Sequence, residues 1–304
     1  MKKAAFYTLG CKVNQYETEA MAELFADSGY EIKEFTEVAD VYVINTCSVT
    51  NMGDRKSRQI IRRAKKLNPN AVIAVTGCYA QTAPDEVLAI EGVNLVLGTK
   101  DRKNIVTLVE ELNTESNINH VSDIMSNHEF EELQIKQYSN RTRAFIKIQE
   151  GCNQFCSYCI IPYARGPVRS RAKDDVVREI KELAHNGFKE IILVGIHVAS
   201  YGVDLGNTTL ESLIMDVDKI DGVERIRLSS IEPMTLNQEF IDSIKDSKKL
   251  CHHFHISLQS GCDETLKRMN RKYTTAQFKG IVDGLREAFN DVAILSLIHI
   301  SQPT

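Results

Sequence analysis

Apolar, β-rich runs alternate with amphipathic helical patterns along nearly all of this 304-residue chain. In the first third, runs such as AAFYTL, DVYVINT and AVIAVTG are separated by helical stretches. Strands that alternate with helices favour a parallel sheet with helices on both faces, because each crossover returns the chain to the same edge of the sheet. The N-terminal part, residues 1–115, is therefore predicted to be a doubly wound α/β domain.

The alternation stops at a polar segment and then resumes. NTESNINHVSDIMSNHEFEE has no periodic apolar pattern, and residues 116–140 are predicted to be a linker. Further β/α steps follow, from AFIKIQ to a strand that starts at DVAI. Their single direction favours a partial (β/α) barrel over residues 141–294, although the same spacing also fits a second open sheet.

Composition and charge narrow the class of protein. No apolar run approaches the roughly 20 residues that span a bilayer, and MKKAAFYTLG lacks the apolar core of a signal peptide. The protein is therefore predicted to be cytoplasmic and monomeric, with no membrane partner. In a reducing compartment its eight cysteines are expected to be metal ligands, catalytic thiols or core residues.

A net charge of -4 gives no global attraction to nucleic acid, so such a partner would need a local basic patch. Two patches are present. One is DRKSRQIIRRAKK at residues 54–66, and the other comprises Arg165, Arg169 and Arg171. A solvated helix face is an equally good interpretation of the first patch taken alone.

Three cysteines, Cys11, Cys47 and Cys78, each follow a predicted strand directly; we call them the strand-end cysteines. The carboxyl ends of parallel strands share one edge of a sheet, and ligands bind at that edge in open α/β folds. A single buried thiol is commonly a core residue. Repetition at the same strand-end position favours a shared set of ligands instead.

Cys152, Cys156 and Cys159 form C-x3-C-x2-C directly after the first strand of the predicted barrel. Barrels carry their active sites at this end of their strands. A zinc site would need a fourth ligand, usually from a second close pair, and no second C-x2-C or H-x3-H is present. The ferredoxin spacings do not match either. Three thiolates on a four-iron cluster leave one iron open to a substrate or cofactor.

Several separated motifs carry a family resemblance. They are TLGCKVNQYETE, NTCSVTN, TGCYAQ, GCNQFCSYCIIPYARGPVRSR, RIRLSSIEP and HFHISLQSGCDETLKRMNRKYTT. These motifs resemble the methylthiotransferases of the radical S-adenosylmethionine superfamily, up to about Ile294. GCKVNQYETE looks most like the branch that acts on N6-threonylcarbamoyladenosine in tRNA. The isopentenyladenosine branch tends toward GCQMN, and the branch that acts on a ribosomal protein aspartate tends toward GCPKN.

The resemblance implies two [4Fe-4S] clusters and S-adenosyl-L-methionine as cofactors. The C-x3-C-x2-C cysteines would hold the cluster whose open iron chelates S-adenosylmethionine, which one electron cleaves to methionine and a 5'-deoxyadenosyl radical. The strand-end cysteines would hold a second cluster that presents sulfur for insertion at C2 of the adenine at position 37. A second S-adenosylmethionine would methylate that sulfur. An electron donor such as a flavodoxin or ferredoxin is implied, and the sulfur donor is left open.

Further residues are expected at the cofactor and RNA sites. The expected S-adenosylmethionine site comprises Tyr158, Gly195, Ser229, Glu232, Gln259 and Ser260. Tyr158 would lie near the adenine, with core packing as the alternative, and the others are equally well interpreted as solvated strand ends. Arg165, Arg169 and Arg171 would hold tRNA phosphates, helped by the basic helix, since phosphate contacts position RNA without reading it.

The pattern breaks after DVAI. Relatives continue with further barrel strands and a small C-terminal β domain that binds tRNA, whereas this chain ends in LSLIHISQPT. That ending resembles the translation of a sequencing adapter, so residues 295–304 are expected to be a non-native tail. A barrel without its last strands exposes an edge, so the polypeptide is expected to be unstable or inactive.

Two other functions fit the same residues. One is a methylthiotransferase for isopentenyladenosine in tRNA or for a ribosomal protein side chain. The other is a non-enzymatic iron–sulfur or zinc module that binds nucleic acid. Iron content and S-adenosylmethionine cleavage distinguish an enzyme from such a module.

Overall fold

A computed structural model describes residues 1–48, 51–112, 117–135 and 142–298. The chain divides into two compact units. The N-terminal unit comprises Met1–Lys136 with Ile160–Pro167, and the second unit comprises Gln137–Cys159 with Val168–Thr304. Parts of the predicted linker (116 and 136–140) and of the predicted tail (299–304) lie outside the described residues.

The N-terminal unit contains a parallel sheet with the strand order β2-β1-β3-β4-β5-β6. The strands are β1 (Lys3–Thr8), β2 (Glu31–Lys33), β3 (Val41–Thr46), β4 (Val72–Gly77), β5 (Leu95–Leu97) and β6 (Ile118–His120). The chain moves outward from β1 to β2 and then crosses back to β3. In open α/β sheets, ligands bind where the strand order reverses in this way.

Helices cover both faces of this sheet. They are α1 (Lys12–Asp27), α2 (Asn51–Leu67), α3 (Cys78–Thr82), α4 (Pro84–Leu88), α5 (Ile105–Glu110) and α6 (Ile161–Arg165). Met21 and Phe25 of α1 pack with Ile105 of α5 in one apolar core, whereas Ile61 of α2 packs with Val87 of α4 in the other. Two cores on opposite faces of one sheet confirm the predicted doubly wound architecture.

The predicted linker differs from the structure. Within it, β6 pairs in parallel with β5, and Ile124, Leu133 and Ile135 are buried. The hydroxyl of Tyr16 donates a hydrogen bond to the carbonyl oxygen of Leu133. Residues 117–135 therefore belong to the N-terminal unit. The sequence conceals this because the apolar residues are isolated in a polar segment and have no period.

The second unit has the sheet order β10-β9-β7-β8 and a pair β11-β12. Its strands are β7 (Arg143–Glu150), β8 (Arg169–Ser170), β9 (Glu190–Gly195), β10 (Arg225–Leu228), β11 (His253–Gln259) and β12 (Ala293–Ile298). All are parallel except β8, and parallel bridges join Ile226 to Leu250 and Ile231 to Ile256. The parallel strands therefore follow one another in chain order, as in the predicted partial (β/α) barrel.

The connecting helices are α7 (Lys173–His185), α8 (Leu210–Asp218), α9 (Gln238–Ile244), α10 (Asp263–Arg268) and α11 (Thr275–Ala288). Hydroxyl caps fix two of their starts: Thr209 accepts a hydrogen bond from the Ser212 N–H, and Thr274 accepts one from the Gln277 N–H. Among the described residues, no helix is both long and apolar enough to cross a membrane.

Strand β12 continues beyond the predicted end of the barrel. The expected non-native tail starts at residue 295, but Leu295, Ser296 and Ile298 remain paired with β11. The Ser296 hydroxyl also donates a hydrogen bond to the Ile256 carbonyl oxygen at 2.6 Å. Residues 295–298 are therefore part of the second unit's strand pairing.

Candidate functional site

The strand-end cysteines converge at one edge of the N-terminal sheet. They follow β1, β3 and β4, which are adjacent strands. Gly10, with φ +107°, precedes Cys11, and a Cβ built on it would lie 3.1 Å from the Cys47 sulfur. A side chain at position 10 would therefore collide with Cys47. All three cysteines therefore lie at the edge of the sheet where the strand order reverses.

Asn14 and Arg165 connect the cysteines further. The Cys11 thiol donates to Asn14 Oδ1 at 3.7 Å, and Arg165 Nη2 donates to the same oxygen at 2.5 Å. Arg165 Nε donates to the Cys78 sulfur at 3.3 Å. The Asn14 amide donates in turn to the carbonyl oxygens of Leu9 and Thr46. Two buried polar side chains therefore fix the backbone before Cys11 and Cys47 and contact two of the three sulfurs.

The three arginines that were expected to bind phosphate are buried. Arg165, Arg169 and Arg171 are at most 1% exposed. Each forms an ion pair within the protein; the partners are Glu17, Glu150 and Glu179, respectively. A buried guanidinium that is already paired does not reach an RNA backbone, so this expectation is wrong in the described structure. The sequence could not reveal it because one of these partners is 148 residues away.

The C-x3-C-x2-C segment forms a loop after β7. Phe155 adopts φ +46°, which turns the loop between the first two cysteines, and the Cys159 N–H donates to the Cys156 carbonyl oxygen at 3.0 Å. The Ser157 N–H donates to the Met269 carbonyl oxygen, and the Asn270 amide donates to the Phe155 carbonyl oxygen at 2.9 Å. The two residues that directly follow α10 therefore hold the loop in place.

The sulfurs of this loop suit an iron–sulfur cluster. The pKa of the Cys152 thiol is raised to about 11, mainly by burial; a backbone hydrogen bond lowers it, and the neighbouring Cys159 and Cys156 add to the rise. Cations relieve such crowding by replacing the thiol protons. Across the described residues, no three His, Cys, Asp or Glu side chains converge as ligands of one metal ion. Ligands of a four-iron cluster bind separate irons, so these thiols fit that group.

Glu232 lies at the centre of a buried polar group beside this loop. Arg271 Nη2 donates to its carboxylate at 2.5 Å, while Arg271 Nη1 donates to the Cys156 sulfur at 3.3 Å. Burial raises the pKa of Glu232, and Arg271 opposes that rise. His197 Nε2 lies 4.0 Å from the same carboxylate, and the His197 N–H donates to Gln149 Oε1 at 2.7 Å. The sequence had identified Glu232 but not its three neighbours.

Other expected cofactor residues are only partly linked to this group. A Cβ on Gly195 would lie 2.9 Å from Gln149 Oε1, so glycine is needed there for Gln149 to meet His197. Tyr158 is 42% exposed, which is incompatible with core packing. Gln259, with φ +64°, is the last residue of β11, and the hydroxyl of the next residue, Ser260, accepts a hydrogen bond from the Cys262 N–H.

Unpartnered buried atoms show that this region fits a polar ligand. His197 Nε2, Ser229 Oγ and Arg271 Nε are buried and have no hydrogen-bond partner among the described residues. Buried polar atoms without partners are costly, and a ligand rich in donors and acceptors would satisfy them. Arg271 lies between α10 and α11, within the motif MNRKYTT, and its place in that motif was the available signal for it.

Lowering the pH is expected to destabilise the protein through His197. Burial and then the charge of Arg271 lower its pKa from 6.5 to about 4. The neutral imidazole therefore contributes its full stabilisation above a pH of about 6.5, the pKa of histidine in the unfolded chain. This contribution to the free energy of unfolding, at most about 3 kcal/mol, is lost as the pH falls to about 4, the pKa in the folded protein. Urea unfolding between about pH 7.5 and about pH 4 measures this. His197→Gln should weaken the dependence of the unfolding free energy on pH, whereas substitution of the exposed His185 by glutamine should not. If the wild type and His197→Gln lost stability equally as the pH falls, the prediction would be wrong.

Two family models match the chain. The model described as "Uncharacterized protein family UPF0004" matches residues 3–98, within the N-terminal unit. The model described as "Radical SAM superfamily" matches residues 146–302, which is more than half of the chain. The match extends across residues 295–302, which the sequence placed in a non-native tail.

Curated relatives match 94% or more of the chain. Threonylcarbamoyladenosine tRNA methylthiotransferase MtaB of Bacillus subtilis is 48% identical over 305 residues, which cover 100% of this chain and 68% of that protein. The chain belongs to the radical S-adenosylmethionine methylthiotransferase family. The MtaB protein of Aquifex aeolicus is 42% identical, and the match covers 94% of this chain and 70% of that protein. The tRNA-2-methylthio-N(6)-dimethylallyladenosine synthase of Thermoanaerobacter pseudethanolicus is 37% identical, with 97% and 64% covered.

Solved structures share the fold of this methylthiotransferase family member. The radical S-adenosylmethionine methyltransferase TsrM of Kitasatospora setae, with cobalamin and a [4Fe-4S] cluster bound, has a TM-score of 0.67 at 16% identity and covers 98% of this chain and 66% of its own. The cobalamin-dependent radical enzyme OxsB has a TM-score of 0.64 at 12% identity, with 98% and 49% covered. At these identities the similarity shows the fold alone.

Membership of this family makes the protein an enzyme whose cofactors include a [4Fe-4S] cluster and S-adenosylmethionine. The alternative of a non-enzymatic nucleic-acid-binding module is therefore wrong. The buried polar group around Glu232 and the adjacent C-x3-C-x2-C loop provide chemically suitable residues for these cofactors.

Proposed function

We propose that this enzyme is a tRNA methylthiotransferase that places a methylthio group on C2 of N6-threonylcarbamoyladenosine at position 37 of the anticodon loop. The observation that carries the proposal is the 48% identity to an MtaB enzyme across the whole chain, with both cysteine trios present. The lower identity of 37% to a dimethylallyladenosine synthase makes isopentenyladenosine the weaker candidate.

The C-x3-C-x2-C cysteines hold the [4Fe-4S] cluster, and the neighbouring polar group binds S-adenosylmethionine. When bound, these cofactors supply a radical strong enough to break an inert adenine C–H bond. Glu232, held by Arg271, accepts hydrogen bonds from an amino or hydroxyl group of the ligand. The low pKa of His197 keeps its imidazole neutral, so this residue adds no positive charge beside a sulfonium ligand. Ser229 and Gln149 complete the polar wall.

The strand-end cysteines hold a second cluster that provides the sulfur. Their convergence at the reversal of strand order supports this assignment, because three thiols at one ligand-binding edge form a donor set for iron. The electron donor is a flavodoxin or ferredoxin, and the protein acts as a cytoplasmic monomer.

The exposed face of α2 provides the RNA contact that the buried arginines cannot. Ile60, Ile61 and Ala64 bury its opposite face against the sheet. The exposed cations are Arg55, Lys56, Arg62, Arg63 and Lys66. Among the described residues, none of these five forms an ion pair with a carboxylate. Unpaired cations repeated along a helix fit the regularly spaced phosphates of an RNA strand.

Replacing Arg55 and Arg62 together by glutamine is expected to weaken tRNA binding and its dependence on salt. The two residues are seven positions apart and lie on one helical face. Each lost phosphate contact lowers the slope of log K against log salt by about 0.7 to 0.9, so the double variant should lose about 1.5. Filter binding across a salt series measures the slope. The matched control replaces exposed Lys2 and Lys103 of the same unit by glutamine; equal slopes for the two double variants would refute this surface.

The proposed reaction is tested by reconstituting the protein with iron and sulfide under anaerobic conditions. It is then incubated with S-adenosylmethionine, a reductant and tRNA that carries threonylcarbamoyladenosine. Mass spectrometry of the digested tRNA should show the methylthio nucleoside. Modification of isopentenyladenosine alone, or of a ribosomal protein alone, would overturn the assigned substrate.

A further inference from the structure

Arg165 is a buried arginine that follows the C-x3-C-x2-C motif closely in sequence. It is the last residue of α6, and its side chain is fully buried. Its segment, Ile160–Pro167, belongs to the N-terminal unit although it directly follows Cys159 in sequence. The residue therefore belongs to the same unit as the strand-end cysteines.

The three nitrogens of the Arg165 guanidinium contact different groups. Nη1 lies 2.5 Å from Glu17 Oε1, and Nη2 lies 2.5 Å from Asn14 Oδ1 and 3.1 Å from Glu17 Oε2. These contacts fix the plane of the group from one side. Nε then donates to the Cys78 sulfur at 3.3 Å, within the range for a hydrogen bond to sulfur.

A second arginine holds this arrangement rigid. Glu17 Oε1 also forms an ion pair with Arg102 Nη1 at 2.6 Å, and Arg102 Nε donates to Glu131 Oε2 at 2.7 Å. Glu17 and Arg102 are both fully buried. Charges removed from water in this way persist only when they are paired, so the network fixes the direction of the Arg165 N–H towards sulfur.

A hydrogen bond to a cysteine sulfur has a known physical effect on an iron–sulfur cluster. The donor stabilises negative charge on the sulfur and therefore favours the reduced, more negative cluster over the oxidised one. Burial strengthens the effect because water does not screen the guanidinium. A lysine at this position would keep the positive charge but would lose the planar fork that satisfies Glu17, Asn14 and sulfur at once.

We propose that Arg165 is a positioning residue for the sulfur-donating cluster: it orients the Cys78 ligand and raises the reduction potential of that cluster through its Nε–H···S hydrogen bond. This inference depends on the proposed second cluster. It replaces the phosphate-binding role that the sequence suggested for this arginine.

The test isolates the N-terminal cluster. In a parent variant, Cys152, Cys156 and Cys159 are all replaced by alanine, and the protein is reconstituted with iron and sulfide. Arg165→Lys is added to this parent, and the matched control is Arg102→Lys. The control is equally buried and also pairs with Glu17, but among the described contacts it touches no cysteine. Potentiometric titration followed by electron paramagnetic resonance measures the reduction potential, and iron analysis measures occupancy.

We expect Arg165→Lys to shift the potential to a more negative value, and we expect Arg102→Lys, which acts on the sulfur only through Glu17, to shift it by less. Should Arg165→Lys fail to fold, Arg165→Met provides the same comparison, since methionine has no N–H to donate to sulfur and Glu17 keeps Arg102 as its ion-pair partner. Equal potentials for the parent and either folded Arg165 variant, or equal shifts for the Arg165 and Arg102 variants, would overturn the proposal. A parent that binds no iron would instead overturn the second cluster itself.

Discussion

Cys156→Ala is expected to abolish reductive cleavage of S-adenosylmethionine and, with the two clusters proposed above, to lower the bound iron from about eight to about four atoms per chain. Cys156 is the central thiol of C-x3-C-x2-C, and its sulfur accepts a hydrogen bond from Arg271. Alanine removes one of three ligands and leaves that donor facing a methyl group. The remaining two thiols do not retain a cluster that needs three corners bound by the protein.

The matched control is Cys251→Ala, because Cys251 is a half-buried thiol outside both cysteine trios. It should keep both its iron and its cleavage activity. Anaerobic reconstitution followed by iron analysis and chromatography of the cleavage products measures both quantities. Retention of cleavage in Cys156→Ala would remove this loop from the cofactor site.

Glu17→Gln is expected to destabilise the protein by about 3 to 5 kcal/mol, the cost typical of breaking a buried ion pair from one side. The Glu17 carboxylate lies between two buried guanidiniums, 2.5 Å from Arg165 and 2.6 Å from Arg102. Glutamine keeps the shape but removes the negative charge, so the buried positive charge of Arg165 loses its carboxylate partner. Urea unfolding followed by circular dichroism measures the loss.

Asp283→Asn is the corresponding control. The Lys279–Asp283 pair is exposed, at 76% and 53% of the two side chains. Solvent screens such pairs, so its loss should cost less than about 1 kcal/mol. Similar costs for the two substitutions would show that the buried network contributes no more than a surface pair.

Local pattern predicted the architecture of both units and the convergence of the strand-end cysteines. Residues directly after the strands of a parallel sheet are brought to one edge by chain connectivity. Cys11, Cys47 and Cys78 therefore lie at the same edge of the sheet, whatever residues surround them. Short elements escaped prediction: α3, α6 and α10 are five or six residues long and show too little periodicity. Strand β6 escaped because it has three residues in a polar context.

The ion-pair and hydrogen-bond partners of the site residues could not be predicted from local sequence pattern. Glu232 was expected at the cofactor site because it ends a strand, but Arg271, which holds it, lies 39 residues further along the chain. His197 and Gln149 are likewise joined across 48 residues. Contacts of this kind depend on how the strands stack, and no local pattern records them.

The sequence by itself determined where the six thiols of the two cysteine trios lie along the β/α framework, because strand ends are set by local periodicity and connectivity. Only the tertiary structure decided what the arginines beside them do. Arg165, Arg169 and Arg171 resemble a surface patch in sequence, yet all three are buried. The physical reason is that a guanidinium leaves water only when a carboxylate meets it, and the carboxylate of Glu17 reaches Arg165 from 148 residues away.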